Sequence, residues 1–258
     1  AGAHEFTKTG RKSDKFGVST QTAKELIKKC TGSKSINLIG LTCHIGSQIM
    51  ELKGFEDAAK QALELMIEVD ELEINLDFID MGGGLGVSYV GEETFQPSEL
   101  IRCYETIFAG RNERLILEPG RSISANAGIM LTKVEYEKDS FRITDAAMND
   151  LLRPALYNAH HDVWPLIKGI NQAPEVNLVG PICETGDFLA KNINISASQD
   201  DLLAVKTVGA YGFVMSSNYN SRPRAAEVLV DNKKFYLIRK REDYSSLTAF
   251  EEGLDDQI

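Results

Sequence analysis

Apolar residues recur along this chain in two rhythms. From Ser19 they fall at helical spacing, with Ala23, Leu26, Ile27 and Cys30 on one face and Ser19 or Thr20 placed to cap. The run "INLIGLTC" (36–43) follows, short and continuous enough to predict a strand buried on both faces. A helix is predicted over about 55–69, with Phe55, Ala58, Ala59, Ala62, Met66 and Val69 on one stripe. The cycle repeats: "LDFIDM" (76–81) reads as a strand, "PSELIRCYETIF" (97–108) as a helix with proline in its first turn, and "RLILEP" (114–119) as a third strand. Strands starting about 40 residues apart with helices between them make βα units with parallel strands.

After about Ala125 the helical spacing stops. "GIMLTKVEYE", "SFRITDA", "EVNLVGP", "LLAVKTVGA", "AEVLVD" and "KFYLIRK" read as strands separated by turn residues, and Asp231-Asn232-Lys233 as a hairpin turn. The predicted fold class is therefore α/β plus β: a βα-repeat portion over 7–125, of about three βα units, then a mainly β C-terminal domain over 126–258. An open three-stranded sheet leaves two unpaired edges and apolar strand faces, which predicts association or partial disorder around residues 7–120.

Composition narrows the functional classes. The 258 residues are 43% hydrophobic and 26% charged, an ordinary globular balance. A net charge of −10 argues against nucleic acid or an anionic membrane as partner, and "IRKRED" (238–243) alternates its charges as a solvated segment does. Cys30, Cys43, Cys103 and Cys183 are widely spaced, without a C-x-x-C pair. That suits a reducing, cytoplasmic setting rather than a disulfide framework or a structural zinc site. No apolar run reaches the length of a membrane span. The opening "AGAHEF" (1–6) has no periodicity and reads as a cloning scar, so His4 is set aside from the chemistry.

Candidate chemistry gathers where the three parallel strands end, the edge on which such architectures build sites. The first strand runs into Cys43-His44-Ile45-Gly46-Ser47-Gln48, the second into Asp80-Met81-Gly82-Gly83-Gly84-Leu85-Gly86, and the third into Glu118-Pro119-Gly120-Arg121. Taken singly, a glycine run can serve a tight turn, Glu118 and Arg121 can pair, and a lone histidine is more often a bonded turn residue than a ligand. Together they offer a phosphate cradle, a cation, a carboxylate and an imidazole. The glycines lack both the P-loop Lys-Ser/Thr and the G-x-G-x-x-G spacing, and His44 has no metal-ligating partner at i+4. A phosphate handle with a carboxylate for a pyridine nitrogen suits pyridoxal 5′-phosphate.

The motifs "HIGSQI", "GGGLG", "EPGRSI", "DAAMNDLLRPALY", "GPICETGDFLAK", "GAYG" and "SSNYNSRPRAAEVL" resemble, in order and from about Thr7 to Leu247, the bacterial diaminopimelate decarboxylases. These are pyridoxal-phosphate enzymes of the alanine-racemase-like fold. The resemblance implies the C-terminal portion of a (β/α)8 barrel followed by the β domain, and a carboxy-lyase that converts meso-2,6-diaminopimelate to L-lysine and carbon dioxide. It implies that Ser47, Gly83, Gly84, Gly120 and Arg121 serve the cofactor, that Glu118 meets its pyridine nitrogen, and that His44 lies against its ring. It further implies that Arg121, Arg153, Tyr157 and Tyr211 bind substrate, Tyr211 also reaching the cofactor, with Glu184 reading the distal amino group. Cys183 becomes the proton donor, acting in the partner's site of a homodimer. One departure is Thr185 where the family has serine, which keeps the hydroxyl.

The family attaches its cofactor through a lysine in a motif resembling "YALKAN", which this sequence does not contain. Lys24, Lys28, Lys60 and Lys234 sit in helical, turn or strand-face contexts. The chain is accordingly expected to be a portion of such an enzyme. A non-catalytic binding or dimerisation module is the second reading, and a decarboxylase of ornithine, arginine or carboxynorspermidine the third. Arg153 and Glu184 argue against that last class, since they would bind a second zwitterionic centre.

Overall fold

The computed structural model describes residues 15–167 and 173–253. The segment 1–6 and His4 lie outside the described residues. The chain forms two compact units, Ala1–Ser124 and Ala125–Ile258.

In the first unit, helix α1 (Thr20–Cys30) begins at Ser19, whose Oγ accepts a hydrogen bond from the Thr22 amide at 3.1 Å. Strand β1 (Gly40–Thr42), helix α2 (Leu52–Asp70), strand β2 (Phe78–Asp80), helix α3 (Pro97–Ile107), strand β3 (Arg114–Ile116) and the short helix α4 (Arg121–Ser124) follow. Glu99, three residues into α3, accepts from the Gln96 amide at 2.7 Å and closes its first turn. The three strands lie parallel in the order β1-β2-β3, with Thr42, Asp80 and Ile116 in register. Phe55, Ala59, Met66 and Val69 of α2 are buried with Ile79, Met81 and Tyr104, as the helical stripe requires.

The first strand departs from expectation. Only Gly40–Thr42 pairs as a strand, and Ile36 and Ile39 are 61% and 46% exposed. β1 is one of the two outer strands, paired on one side only, and the run preceding it stands partly in solvent rather than covered on both faces.

The second unit carries strands β4 (Met130–Lys138) and β5 (Phe141–Thr144), helix α5 (Arg153–Tyr157), and strands β6 (Val163–Pro165), β7 (Glu175–Val179), β8 (Phe188–Asn194) and β9 (Leu202–Val205). A hairpin of β10 (Glu227–Asp231) and β11 (Lys234–Arg239) and the short helix α6 (Tyr244–Leu247) complete it. Six strands form one sheet in the order β6-β9-β4-β5-β7-β8. β4 pairs with β9 through Met130–Lys133 and with β5 from Val134 onward, and a register shift after Val134 marks the changeover. Val134, Leu151, Val176, Leu178, Leu189, Leu203 and Val205 form the core. The hairpin turns at Asn232, whose φ of 55° suits asparagine.

Candidate active site

Register places three loops at one edge of the first unit. Because Thr42, Asp80 and Ile116 are level, the residues after them leave the sheet side by side. Backbone bonds continue past the strands: Cys43 N to Asp80 O at 2.7 Å, Met81 N to Ile116 O at 3.0 Å, and Glu118 N to Gly82 O at 2.8 Å. Asp80 is buried, and its carboxylate accepts from the Gly82 amide at 2.8 Å, turning the chain into the glycine run.

The glycines answer a steric demand. Gly82 has φ 65°, and a Cβ there would lie 2.6 Å from the Cys43 carbonyl oxygen and 2.8 Å from His44 Nδ1. A Cβ on Gly83 would strike the Glu118 carbonyl oxygen, and one on Gly84 (φ 106°) the Gly46 carbonyl oxygen. The run therefore draws all three strand ends together. Gly83 N donates to His44 Nδ1 at 3.3 Å, which holds the exposed imidazole against the second loop.

Arg121 opens α4 and is buried. Its guanidinium donates to Tyr89 Oη at 2.5 Å and to Ser47 Oγ at 3.0 Å, joining the β1 and β3 loops. Gln48 fastens the β1 loop to the β2 loop: its side chain donates to the Val87 carbonyl at 2.6 Å and accepts from the Val87 amide at 3.1 Å. Glu118 is exposed at the same edge, and Gly120 has open space where a side chain would stand. The first unit thus brings His44, Ser47, Gly83, Gly84, Glu118, Gly120 and Arg121 to one edge. This donor set fits a phosphorylated pyridine, with backbone approach unobstructed by side chains, a fixed cation, a solvent-facing carboxylate and a flat imidazole.

The second unit holds the other candidates. Cys183 and Glu184 lie exposed on the loop 181–187, which Asp187 fastens from beneath. Asp187 is 3% exposed, and its two carboxylate oxygens accept from Met148 N at 2.7 Å and Ile182 N at 2.9 Å. Burial raises this carboxyl above its ordinary pKa, with the two amide bonds and Arg222 pulling the other way. Glu184 accepts from Tyr219 Oη at 2.6 Å, and Cys183 Sγ stands 3.8 Å from Asn220 Oδ1. That bond to Glu184 raises the Tyr219 phenol and keeps it a donor. Arg222 donates to Asn149 Oδ1 at 2.8 Å and to the Asp145 carbonyl at 2.5 Å, tying the Tyr219 loop to the "AAMNDLL" segment.

Arg153 begins α5 and is buried, donating to His161 Nε2 at 2.7 Å. Tyr157 closes the same helix, half-buried, and Tyr211 is 40% exposed with φ 59°. Sequence reasoning assigned no role to Tyr89, Gln48, Asn149, His161, Asp187, Tyr219 or Arg222. The adjacent histidines after "RPALY" and the second acid after "CET" were the available signals.

The first half of the chain, residues 1–125, matches the family described as pyridoxal-dependent decarboxylase, pyridoxal binding domain. Diaminopimelate decarboxylases from Vibrio cholerae and Pseudomonas aeruginosa are 45% and 46% identical over 99% and 97% of the chain. The chain spans 63% and 61% of the length of those relatives. The crystal structure of diaminopimelate decarboxylase from Helicobacter pylori complexed with L-lysine superposes with a TM-score of 0.92 at 35% identity, covering 99% of this chain and 64% of that one. The first unit is thus similar to the pyridoxal binding domain of pyridoxal-dependent decarboxylases. Over nearly its whole length the chain is similar, in sequence and in fold, to part of the diaminopimelate decarboxylases. A lysine/ornithine decarboxylase from Vibrio vulnificus matches at 24% identity, which speaks to the fold alone.

Proposed function

We propose that the protein carrying this chain removes the D-centre carboxylate of meso-2,6-diaminopimelate, giving L-lysine and carbon dioxide with pyridoxal 5′-phosphate as cofactor. It acts as a cytoplasmic homodimer with shared sites, residues 7–125 belonging to the barrel and 126–258 to the β domain. The observation that carries the reading is 45% identity over 99% of the chain to a diaminopimelate decarboxylase. The phosphate-and-carboxylate edge in the first unit supports it.

The cofactor, when bound, supplies an electron sink for the pair released as a carboxylate departs. Gly83, Gly84, Gly120 and Ser47 would hold its phosphate. Glu118 would keep a proton on the pyridine nitrogen, and His44 would lie against the ring. Arg121, already fixed by Ser47 and Tyr89, brings a cation to the cofactor and substrate edge. Tyr211 would reach the cofactor phosphate or the substrate. In the reaction one C–C bond breaks and one C–H bond forms, so a proton must reach the carbon that lost its carboxylate. Cys183 Sγ delivers it, acting in the partner's site.

The distal amino acid centre of the substrate selects against simpler diamines. Arg153 and Tyr157 take its carboxylate, and Glu184, steadied by Tyr219, takes its ammonium group. Incubation with pyridoxal phosphate tests the reading. Lysine and carbon dioxide should form in equal amounts from meso-diaminopimelate, with ornithine and arginine left unchanged. Turnover of ornithine or arginine in its place would defeat it.

A further inference from the structure

Glu184 stands exposed on the loop 181–187, where a glutamate side chain ordinarily samples many rotamers. Tyr219 removes that freedom at one oxygen, its Oη donating to Glu184 Oε2 at 2.6 Å. The other oxygen, Oε1, lies beside Gly186: a Cβ there would stand 3.4 Å away, and glycine brings none. One carboxylate oxygen is thus held by the protein while the other faces a residue without a side chain.

The loop that presents Tyr219 is itself built with care. Asn220 and Ser221 take φ 57° and 54°, two successive left-handed residues without a glycine, a turn that persists only when its ends are held. Both ends are held on Asn149, which is 2% exposed. The Ser217 amide donates to the Asn149 carbonyl at 2.9 Å, the Asn149 side chain donates to the Ser217 carbonyl at 3.3 Å, and Arg222 Nε donates to Asn149 Oδ1 at 2.8 Å. The neighbouring Met148 amide donates to Asp187 beneath the Glu184 loop. The two loops therefore share one foundation, and the phenol reaches a carboxylate whose loop is anchored to the same segment.

We propose that Tyr219 is a positioning residue that sets substrate specificity: it fixes Oε2 of Glu184 so that Oε1 is aimed at the distal ammonium group of the substrate. The inference rests on the reading of Glu184 as the ammonium reader, and its test separates the two. In the holoenzyme, the affinity for L-lysine is compared with that for 6-aminohexanoate, which keeps the terminal amine and the carboxylate but lacks the α-ammonium group. Glu184→Gln should abolish the preference for lysine. Tyr219→Phe removes one hydroxyl from a half-exposed ring; it should cut the preference at least about fivefold and leave the affinity for 6-aminohexanoate within about twofold. A preference that survives Glu184→Gln overturns the reading and the inference together. If Glu184→Gln abolishes it and Tyr219→Phe cuts it by less than fivefold, the inference alone falls. It falls too if Tyr219→Phe weakens both ligands alike, as a purely structural role would. A second readout is the ionisation of Tyr219, followed by carbon-13 spectra of Cζ-labelled tyrosine. Glu184, Cys183 and Asn220 face this phenol, and the bond to Glu184 is the largest cause of its raised pKa. The phenol should ionise at lower pH in Glu184→Gln than in the parent, and an unchanged ionisation would overturn the proposal.

Discussion

Asp187→Asn tests whether one buried carboxylate holds the loop that carries Cys183 and Glu184. Both oxygens of Asp187 accept backbone amides, from Met148 at 2.7 Å and Ile182 at 2.9 Å, at a side chain 3% exposed. Asparagine keeps one acceptor and turns an amide donor toward the other N–H. A hydrogen bond to a charged group contributes about 1.5–3 kcal/mol, and an orphaned buried donor costs a similar amount, so the change should cost about 2–3 kcal/mol. For a unit of this size that is a fall in melting temperature of roughly 10 °C. Thermal unfolding of the variant and its parent measures the loss, and amide exchange at Met148 and Ile182 locates it. One of these amides should exchange much faster in the variant while the strand amides of β7 and β9 keep their protection. A melting temperature within about 2 °C of the parent, with both amides still protected, would refute the staple.

Two further outcomes follow from the geometry. Gly83→Ala places a methyl group against the Glu118 carbonyl, backbone on both sides, so the β3 loop must shift; pyridoxal phosphate affinity should fall at least about tenfold while the far-ultraviolet spectrum is unchanged, and unchanged affinity would contradict the close approach. Glu242 accepts from the Arg224 side chain at 2.7 Å, the Arg224 amide at 2.9 Å and Asn218 at 2.7 Å, which lowers its pKa to about 2 from an ordinary 4.5. A depressed carboxyl stabilises the folded state above its unfolded pKa and loses that effect as pH falls through the folded value. The stability advantage of the parent over Glu242→Gln should therefore be full above about pH 4.5, shrink on acidification and vanish near pH 2; a gap constant with pH would contradict the sign.

The strand-end edge was legible because parallel strands in register must release their next residues together, and His44, the glycine run and Glu118 sit one or two positions past each strand. Helix α2 was legible from its buried stripe and α3 from the proline of its first turn, whereas the Glu99 that closes that turn was not read. β6 was missed because it is three residues long and ends in proline. β8 was missed because Lys191 and Asn192 interrupt its alternation, Asn192 taking φ 52° where the ladder shifts register. The fastening residues were illegible for a different reason. Asp187 with Met148, Arg222 with Asn149 and Arg153 with His161 are pairs whose meaning lies in tertiary approach. No spacing rule signals a carboxylate that will meet an amide 39 residues away.

The proposed function makes Cys183 the proton donor and Glu184 the reader of the substrate's ammonium group. The most direct test is the decarboxylation of meso-diaminopimelate in deuterium oxide by the protein carrying this chain, with the lysine analysed by mass and carbon-13 spectra. The account predicts a single deuterium, at the lysine carbon that lost the carboxylate, with formation of that product strongly slowed in Cys183→Ala. An equal rate of correctly labelled lysine from Cys183→Ala, or no lysine from the parent, would contradict it.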